Sequence, residues 1–406
     1  MPATPATADR LFAASIRING TEDEDFYQCI AQITVVEDLD RGSSFSIRVD
    51  LHRNEDGTWP HLDEARFEPW NRITIAAAFP DHADVIMDGY ITHAGVGAEA
   101  QGGKVTMEIR GADASYVMHL EEKCKVWKEK TYEAIAEEII KSYGLKAVLP
   151  EGGAAAGNGT PPPSVTQRGT DHRFLRELAR RKGYEFYVRG GDAHFHPADL
   201  AGTPQKVIAA EFGNETNCAG LSLEMDGTRP TEIVMSRLDP LAGVMQTVTA
   251  ISSELEPLGT RDIGDMRGFG IPSTLAFVRN QGAATEADMT DFTRGVLRRH
   301  GWWVSARGSV NGLVYGRVLR SRKLVTIKGY GPTYNGNYYV RKVTHKLEPR
   351  SYVMEFEAAR NRVGKLGTEP FEGENPEAAE LPAALGAGAD TDRVVVAETG
   401  AQVAPA

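Results

Sequence analysis

Residues 335–362 read NGNYYVRKVTHKLEPRSYVMEFEAARNR, and residues 85–113 read VIMDGYITHAGVGAEAQGGKVTMEIRGAD. Both run strand, Thr-His, turn, then a strand with Met-Glu at its centre. Apolar and polar residues alternate, the period-2 pattern of half-buried strands. The likeness extends backward. Laying 71–93 over 323–345 pairs Thr74 with Thr326, Ile75 with Ile327, Pro80 with Pro332, Thr92 with Thr344 and His93 with His345, all at an offset of 252. Met107 and Glu108 pair with Met354 and Glu355 at 247. The second hairpin is therefore expected to be five residues shorter, in a loop that tolerates deletion. The shared order implies two copies of one small antiparallel β-module. Such a module has exposed edges, so it must close into a barrel or pair with neighbours.

The chain has 406 residues, too many for one ordinary core, so several domains are expected. Apolar content of 41% with 25% charge is a globular balance. No apolar run of about 18 residues is present, so no membrane insertion is expected. The N-terminus, MPATPATADRLFAAS, lacks the basic start and apolar core of a signal peptide, so synthesis in the cytoplasm is expected. Cys29, Cys124 and Cys218 are scattered and form neither a disulfide framework nor a metal knuckle. A net charge of −11 speaks against nucleic-acid binding, which needs a basic face.

Three helices are legible. The first covers 131–143, with Ile135, Ala136, Ile139 and Ile140 on one face, Thr131 as N-cap and Gly144 as stop. The second covers 171–182, capped by Thr170 and ended by Gly183, with Phe174, Leu175, Leu178 and Ala179 as its apolar stripe. The third covers about 286–300, with Thr285 and Asp288 in a capping-box pattern. YEFYVRGGDAHFHP (184–197) is a hairpin turning at Gly190-Gly191-Asp192. PEGGAAAGNGTPPPSV (150–165) holds neither helix nor strand. From Leu366 to Ala406 the chain has eight acidic residues against Arg393 alone, and its Ala/Pro-rich composition marks a disordered tail. Val394 to Ala397 in that tail has the composition of a short docking strand.

Two stretches together resemble a family. GTDHRFLRELARRKGYEFYVRGGDAHFHP (169–197) looks like a helix–Gly–strand signature, and GYGPTYNGNYYVRKVTHKLEPRSYVMEFEAARNRVG (329–364) looks like a closing barrel. The chain resembles, over about 15–365, the late control gene D proteins of contractile phage tails and the hub part of VgrG proteins. The same fold serves as the baseplate hub of contractile injection systems. The resemblance implies a mainly β fold: two tube-like antiparallel β-barrel modules, an inserted α/β subdomain and a disordered C-terminal tail. The implied division is a flexible N-terminus at 1–14, a first barrel at 15–115 and the inserted subdomain at 116–205. A second barrel follows at 206–365 with an irregular insertion at about 253–282, then the acidic tail at 366–406.

The implied function is a structural, non-enzymatic hub. A homotrimer would adapt a sixfold tail tube to a threefold spike, with the tail tube protein, a separate spike protein and other baseplate proteins as partners. It would be incorporated into a phage tail or injection-system particle. The spike is expected on a separate chain because no needle-like repeat follows the second module. The competing reading is a cell-wall-associated hydrolase or carbohydrate-binding protein built on β-barrels.

No catalytic, cofactor-binding or metal residue is assigned from the sequence. His93 and His345 are read as strand-end residues with local hydrogen bonds. His194 and His196 share one strand face, as a metal pair would, but no third ligand is in place. GYGPTYNG (329–336) lacks the Lys-Ser/Thr of a phosphate loop. Glu22 to Asp25 is read as a solvated turn. Trp302 and Trp303 should face opposite sides of a strand, one filling the core and the other meeting a neighbouring chain. Arg298, Arg299 and Arg317 are read as interface cations or a solvated face.

Overall fold

The computed structural model describes residues 14–79, 82–98, 105–152, 164–239, 243–267, 270–278 and 285–371. Pro80, most of the N-terminal stretch and of the Pro-rich loop, and the tail beyond 371 with Val394 to Ala397 lie outside the described residues.

The alternating patterns form strands. The first module contains β1 (Ala14–Ile18), β2 (Thr21–Glu22), β3 (Ile30–Asp38), β4 (Gly42–Leu51), β5 (Arg72–Ala78), β6 (Ala83–Ala98) and β7 (Val105–Asp113). An inserted subdomain follows: β8 (Glu122–Lys128), α1 (Tyr132–Ser142), β9 (Lys146–Val148), β10 (Ser164–Thr170), α2 (Asp171–Lys182), β11 (Tyr184–Arg189) and β12 (Asp192–Pro197). Next come β13 (Gln205–Ala209), β14 (Cys218–Met225), β15 (Glu232–Asp239), β16 (Val244–Ile251), α3 (Ile263–Met266), β17 (Thr274–Val278) and α4 (Glu286–His300). The chain closes with β18 (Val304–Asn311), α5 (Gly312–Tyr315), β19 (Leu324–Lys328), β20 (Gly336–Glu348) and β21 (Ser351–Arg360). The fold is mainly antiparallel β with an inserted α+β subdomain.

One large sheet runs β14-β18-β21-β20-β3-β4-β7-β6-β5-β1-β2, with β19 on the other half of β20 and β13 beside β19. Its two halves have the same order. β3-β4-β7-β6-β5-β1 in the first half answers β14-β18-β21-β20-β19-β13 in the second. Only the last strand differs in sense: β1 is antiparallel to β5, whereas β13 is parallel to β19. One apolar core, including Ile33, Ile47, Ile75, Val325, Val343 and Phe356, runs through both halves.

The hydrogen-bond register corrects the sequence superposition. Arg72 faces Tyr90 and Leu324 faces Tyr339, so the offset is 252 for β5 and β19 but 249 for β6 and β20. A bulge between Ile91 and His93 matches one between Val340 and Lys342. Gly111 opposite Ile91 then answers Ala358 opposite Val340, which keeps the offset of 247 for β7 and β21. The five missing residues are thus split, three before β20 and two after it. His93 and His345 sit in equivalent strands but not at equivalent positions. His93 is exposed, and His345 is fully buried. These bulges match and leave the offset unchanged; the three-residue step lies in the turn before β6 and β20, where Ile75 faces Met87 but Ile327 faces Gly336, and the ungapped sequence alignment slid past it.

The helices follow their caps. Thr131, Thr170 and Thr285 each accept a backbone N–H of the first turn, and Gly183 ends α2 in the left-handed conformation. At α4 the Thr285 hydroxyl donates to the Asp288 carboxylate at 3.1 Å. The 253–282 stretch is more ordered than its composition implied. It contributes α3 and β17, and β17 runs parallel to β15 in a separate three-stranded sheet with β16. That sheet packs on α4 through Ile233, Ala250, Val296 and Leu297, which places residues 232–251 outside the large sheet. The start of the expected tail is also packed: the Glu369 carboxylate accepts the N–H groups of Leu366 and Gly367 at 2.7 Å each.

Candidate assembly interface

The two modules meet where β3 pairs antiparallel with β20, Lys342 to Leu347 facing Asp38 to Ile33. Glu37 lies at this seam, 3% exposed. Its carboxylate accepts from Arg320 at 3.0 Å and from the Ser321 N–H and hydroxyl at 2.9 Å each, and Arg189 of β11 stands 3.5 Å away. Burial pushes this carboxyl up, but the two guanidiniums outweigh it and hold the group well below the usual range. His345 is fully buried; its Nδ1 bonds the Tyr352 hydroxyl at 2.9 Å, and its Nε2 is 4.0 Å from Glu37. Burial lowers its imidazole to about 4 despite the nearby carboxylate.

A second layer braces the seam. Arg322 adopts a left-handed φ of 61°, lies over the Tyr187 ring at 4.4 Å and donates to the Asp38 carbonyl at 2.5 Å. Its own N–H donates to the Val340 carbonyl at 2.7 Å. Glu185 stands 3.9 Å from Arg322 and accepts the Tyr339 hydroxyl at 2.7 and 2.8 Å; burial raises its carboxyl. The inserted subdomain thus supplies Arg189, Tyr187 and Glu185 to the joint between modules. A buried charge without a partner costs several kcal/mol, so this network locks one arrangement of the two halves.

The other ends of the sheet are open. Among the described residues β14 pairs only with β18, and β6 beyond Tyr90 pairs only with β7. Residues 93–98 are all exposed, and Trp70 and Val96 are 46% and 51% exposed.

The residues singled out from the sequence are dispersed. His194 stacks on Tyr187 at 4.3 Å, its Nδ1 lies 3.2 Å from His196 Nε2, and burial lowers it to about 4. His196 is engaged by the Pro197 carbonyl at 2.7 Å, and Asp199 caps the N–H groups of Ala201 and Gly202. Among the described residues no group of three or more His, Cys, Asp or Glu is placed to hold a metal. Trp303 is in the core, donating to the Asn361 carbonyl at 2.6 Å. Trp302 is half-buried and stacks on Tyr339 of its own chain at 5.6 Å. Arg317 bonds His82 at 2.8 Å. Arg298 and Arg299 line a cavity of about 250 Å3 with Arg176, Arg180, Arg341 and Trp302. Burial and the nearby Arg180 lower both Arg176 and Arg299. Asp40, Glu185, Glu254 and Glu256 line the same cavity, so its charge is mixed, and Arg180, Arg298 and Arg299 complement the helix ends on which they stand. The Glu37 network escaped the sequence reading because its partners lie far away in the chain, Ser321 being 284 residues from Glu37.

The family described as the Alg8 N-terminal domain matches residues 8–349. The chain belongs to this family. No curated protein matches the sequence. Solved structures of similar fold include two described as tail proteins. The chain is similar to the 43 kDa tail protein of prophage MuSo2 from Shewanella oneidensis, with TM-score 0.59, 14% identity, and 86% of this chain and 98% of that one covered. It is similar to the tail protein from Neisseria meningitidis MC58, with TM-score 0.61, 12% identity, and 86% and 97% covered. It is similar to a chain of the Francisella PdpA–VgrG complex, with TM-score 0.51, 9% identity, and 86% and 58% covered. At such identities the likeness is one of fold. This Alg8 N-terminal family member therefore has the phage tail protein fold that its two signature stretches resemble.

Proposed function

We propose that this protein is the structural baseplate hub of a contractile phage tail or phage-derived contractile injection system. Three chains would form a ring of six similar modules, mating with a sixfold tail tube on one side and a threefold spike on the other. The carrying observation is the repeated strand order, two six-strand runs in one chain joined by a single seam. The role is mechanical and non-enzymatic: the Glu37 network braces the joint between the two modules. The likeness to tail proteins supports a place in a particle beside tube, spike and other baseplate proteins. The test is light scattering on the purified chain, alone and with a tail tube protein. The expected result is a complex of three times 44.2 kDa that retains the tube protein. A chain that stays monomeric with that partner present and instead binds peptidoglycan would favour the cell-wall reading.

A further inference from the structure

The seam inside the chain has two unused counterparts. Register maps β20 onto β6, and the same comparison maps β3 onto β14. Ile33 faces Ile47 and Ile47 faces Ile109 in the first module, while Leu221 is the residue placed like Ile33 in the second, two before the Leu223–Ala306 pair. Both strands have a bulge in the same region, after Ile30 in β3 and one position further along, after Ala219, in β14. What β3 and β20 do within the chain, β14 and β6 are left to do outside it.

We propose that the free edge of β6 pairs antiparallel with β14 of a second copy of this chain, with His93 opposite Asp226, Val96 opposite Leu223 and Ala98 opposite Leu221. This deepens the hub reading, from which the number of copies is taken. The register is the one that His345 facing Val35 and Lys342 facing Asp38 display inside the chain.

Side-chain chemistry supports it independently. Leu221, Leu223 and Met225 point to the core face of β14, partly buried against the main core. In the proposed register they meet Ala98, Val96 and Ala94, so every pair on that face is apolar. On the other face Asp226, Glu224 and Ser222 meet His93, Gly95 and Gly97. A slip of one residue would set Glu224 against the core face, which the alternation of a strand forbids.

The comparison also accounts for the exposed apolar side chains. Val96 stands where the inner seam has His345, Met225 where it has Glu37, and Trp70 where it has Arg322. The Trp70 N–H donates to the Ile91 carbonyl at 2.7 Å, as the Arg322 N–H does to Val340, and both residues have positive φ. The inner seam is ionic and pre-sealed by the inserted subdomain. The outer seam is apolar and open, the kind of edge that heterologous pairing closes into a ring.

The test uses the full-length chain with Cys124→Ser, which removes an exposed thiol. Val96→Cys with Leu223→Cys should form an intermolecular disulfide on mild oxidation, because directly opposed Cβ atoms lie about 5 Å apart across an antiparallel pair. A non-reducing gel should show a ladder ending at three chains. Val96→Cys with Glu224→Cys, one residue out of register and on opposite faces, should not link. Absence of the first crosslink overturns the pairing, whatever the mass of the chain. Light scattering on the unlinked protein decides separately on the hub reading: a trimer without the crosslink keeps the hub and rejects this seam. As a check that needs no thiols, Val96→Glu should lower the associated fraction at least tenfold while leaving the monomer's melting temperature unchanged. An unchanged associated fraction would also overturn the pairing.

Discussion

The two modules share a backbone and differ in what they place on it. In the first, Phe45 packs on Gly111, where an added Cβ would come within 2.4 Å of the ring. In the second, the answering pair is Ala306 with Ala358. Trp70 and Arg322 hold the same strained φ and the same backbone bond, yet one is exposed and the other sealed under Tyr187. The bulges, the strand order and the left-handed residues were kept because they set where edges lie. The side chains diverged because one edge is used within the chain and the other is not. A duplicated sheet is thus constrained by its ladder and free in its seams.

The sharpest way to break this comparison is at Glu37. Replacing it by Ala strands Arg320 and the Ser321 N–H in the interior, and breaking a buried ion pair from one side costs about 3–5 kcal/mol. Met225→Ala, at the answering position of β14, should cost about 1 kcal/mol because that side chain is only partly buried. Denaturant melts of both variants measure the difference. Equal losses would mean that the inner seam is not held by its ion network.

The next effect is the contribution of the inner seam to the pH dependence of stability. His345 titrates near 4 in the fold against an ordinary 6.5, so between these values the unfolded chain takes up a proton that the folded chain refuses. Its contribution is complete above about pH 6.5 and is lost as pH falls towards 4, worth on the order of 3 kcal/mol. Glu37, held low, adds to the loss only below about pH 4.3, where the unfolded carboxyl begins to protonate. His172 and His194 are also lowered by burial, so the measure is a difference: His345→Gln should flatten the stability slope between pH 6.5 and 4 relative to the parent. An unaltered slope would place the pH dependence elsewhere.

What the sequence could show follows from where each signal resides. Helix α2 was legible to the residue, because Thr170, the Phe174–Leu178 stripe and Gly183 are local instructions. The duplication was legible because strand patterns persist even where identities fade. Its register was not, since the second copy is three residues shorter in the turn between β19 and β20, where no strand pattern marks the gap. The β15–β17 sheet was hidden because β17 lies in a Gly/Pro-rich run and pairs in parallel with a strand some 40 residues away. The seam was invisible for the same reason in stronger form. Nothing near Glu37 in sequence announces Arg320, Arg189 or His345, and only the paired strands bring them together.

The smallest effect on stability, and the cleanest on assembly, is expected at Trp70. A bulky residue at φ 75° carries backbone strain that glycine relieves, while the exposed ring loses only its tilted contacts to Tyr90 and Tyr116 at 6.4 and 6.3 Å. These terms nearly cancel, so Trp70→Gly should leave monomer stability within about 1 kcal/mol of the parent. Arg322→Gly relieves the same strain but strips the ring stacking and the bond to Asp38, so it should cost more. The association of Trp70→Gly should nonetheless fall, because Trp70 occupies over the outer seam the place that Arg322 fills over the inner one. Sedimentation across a concentration series, set against thermal melts of the same two variants, separates the effects. A Trp70→Gly chain that assembles as readily as its parent would show that the two left-handed residues share geometry and nothing more.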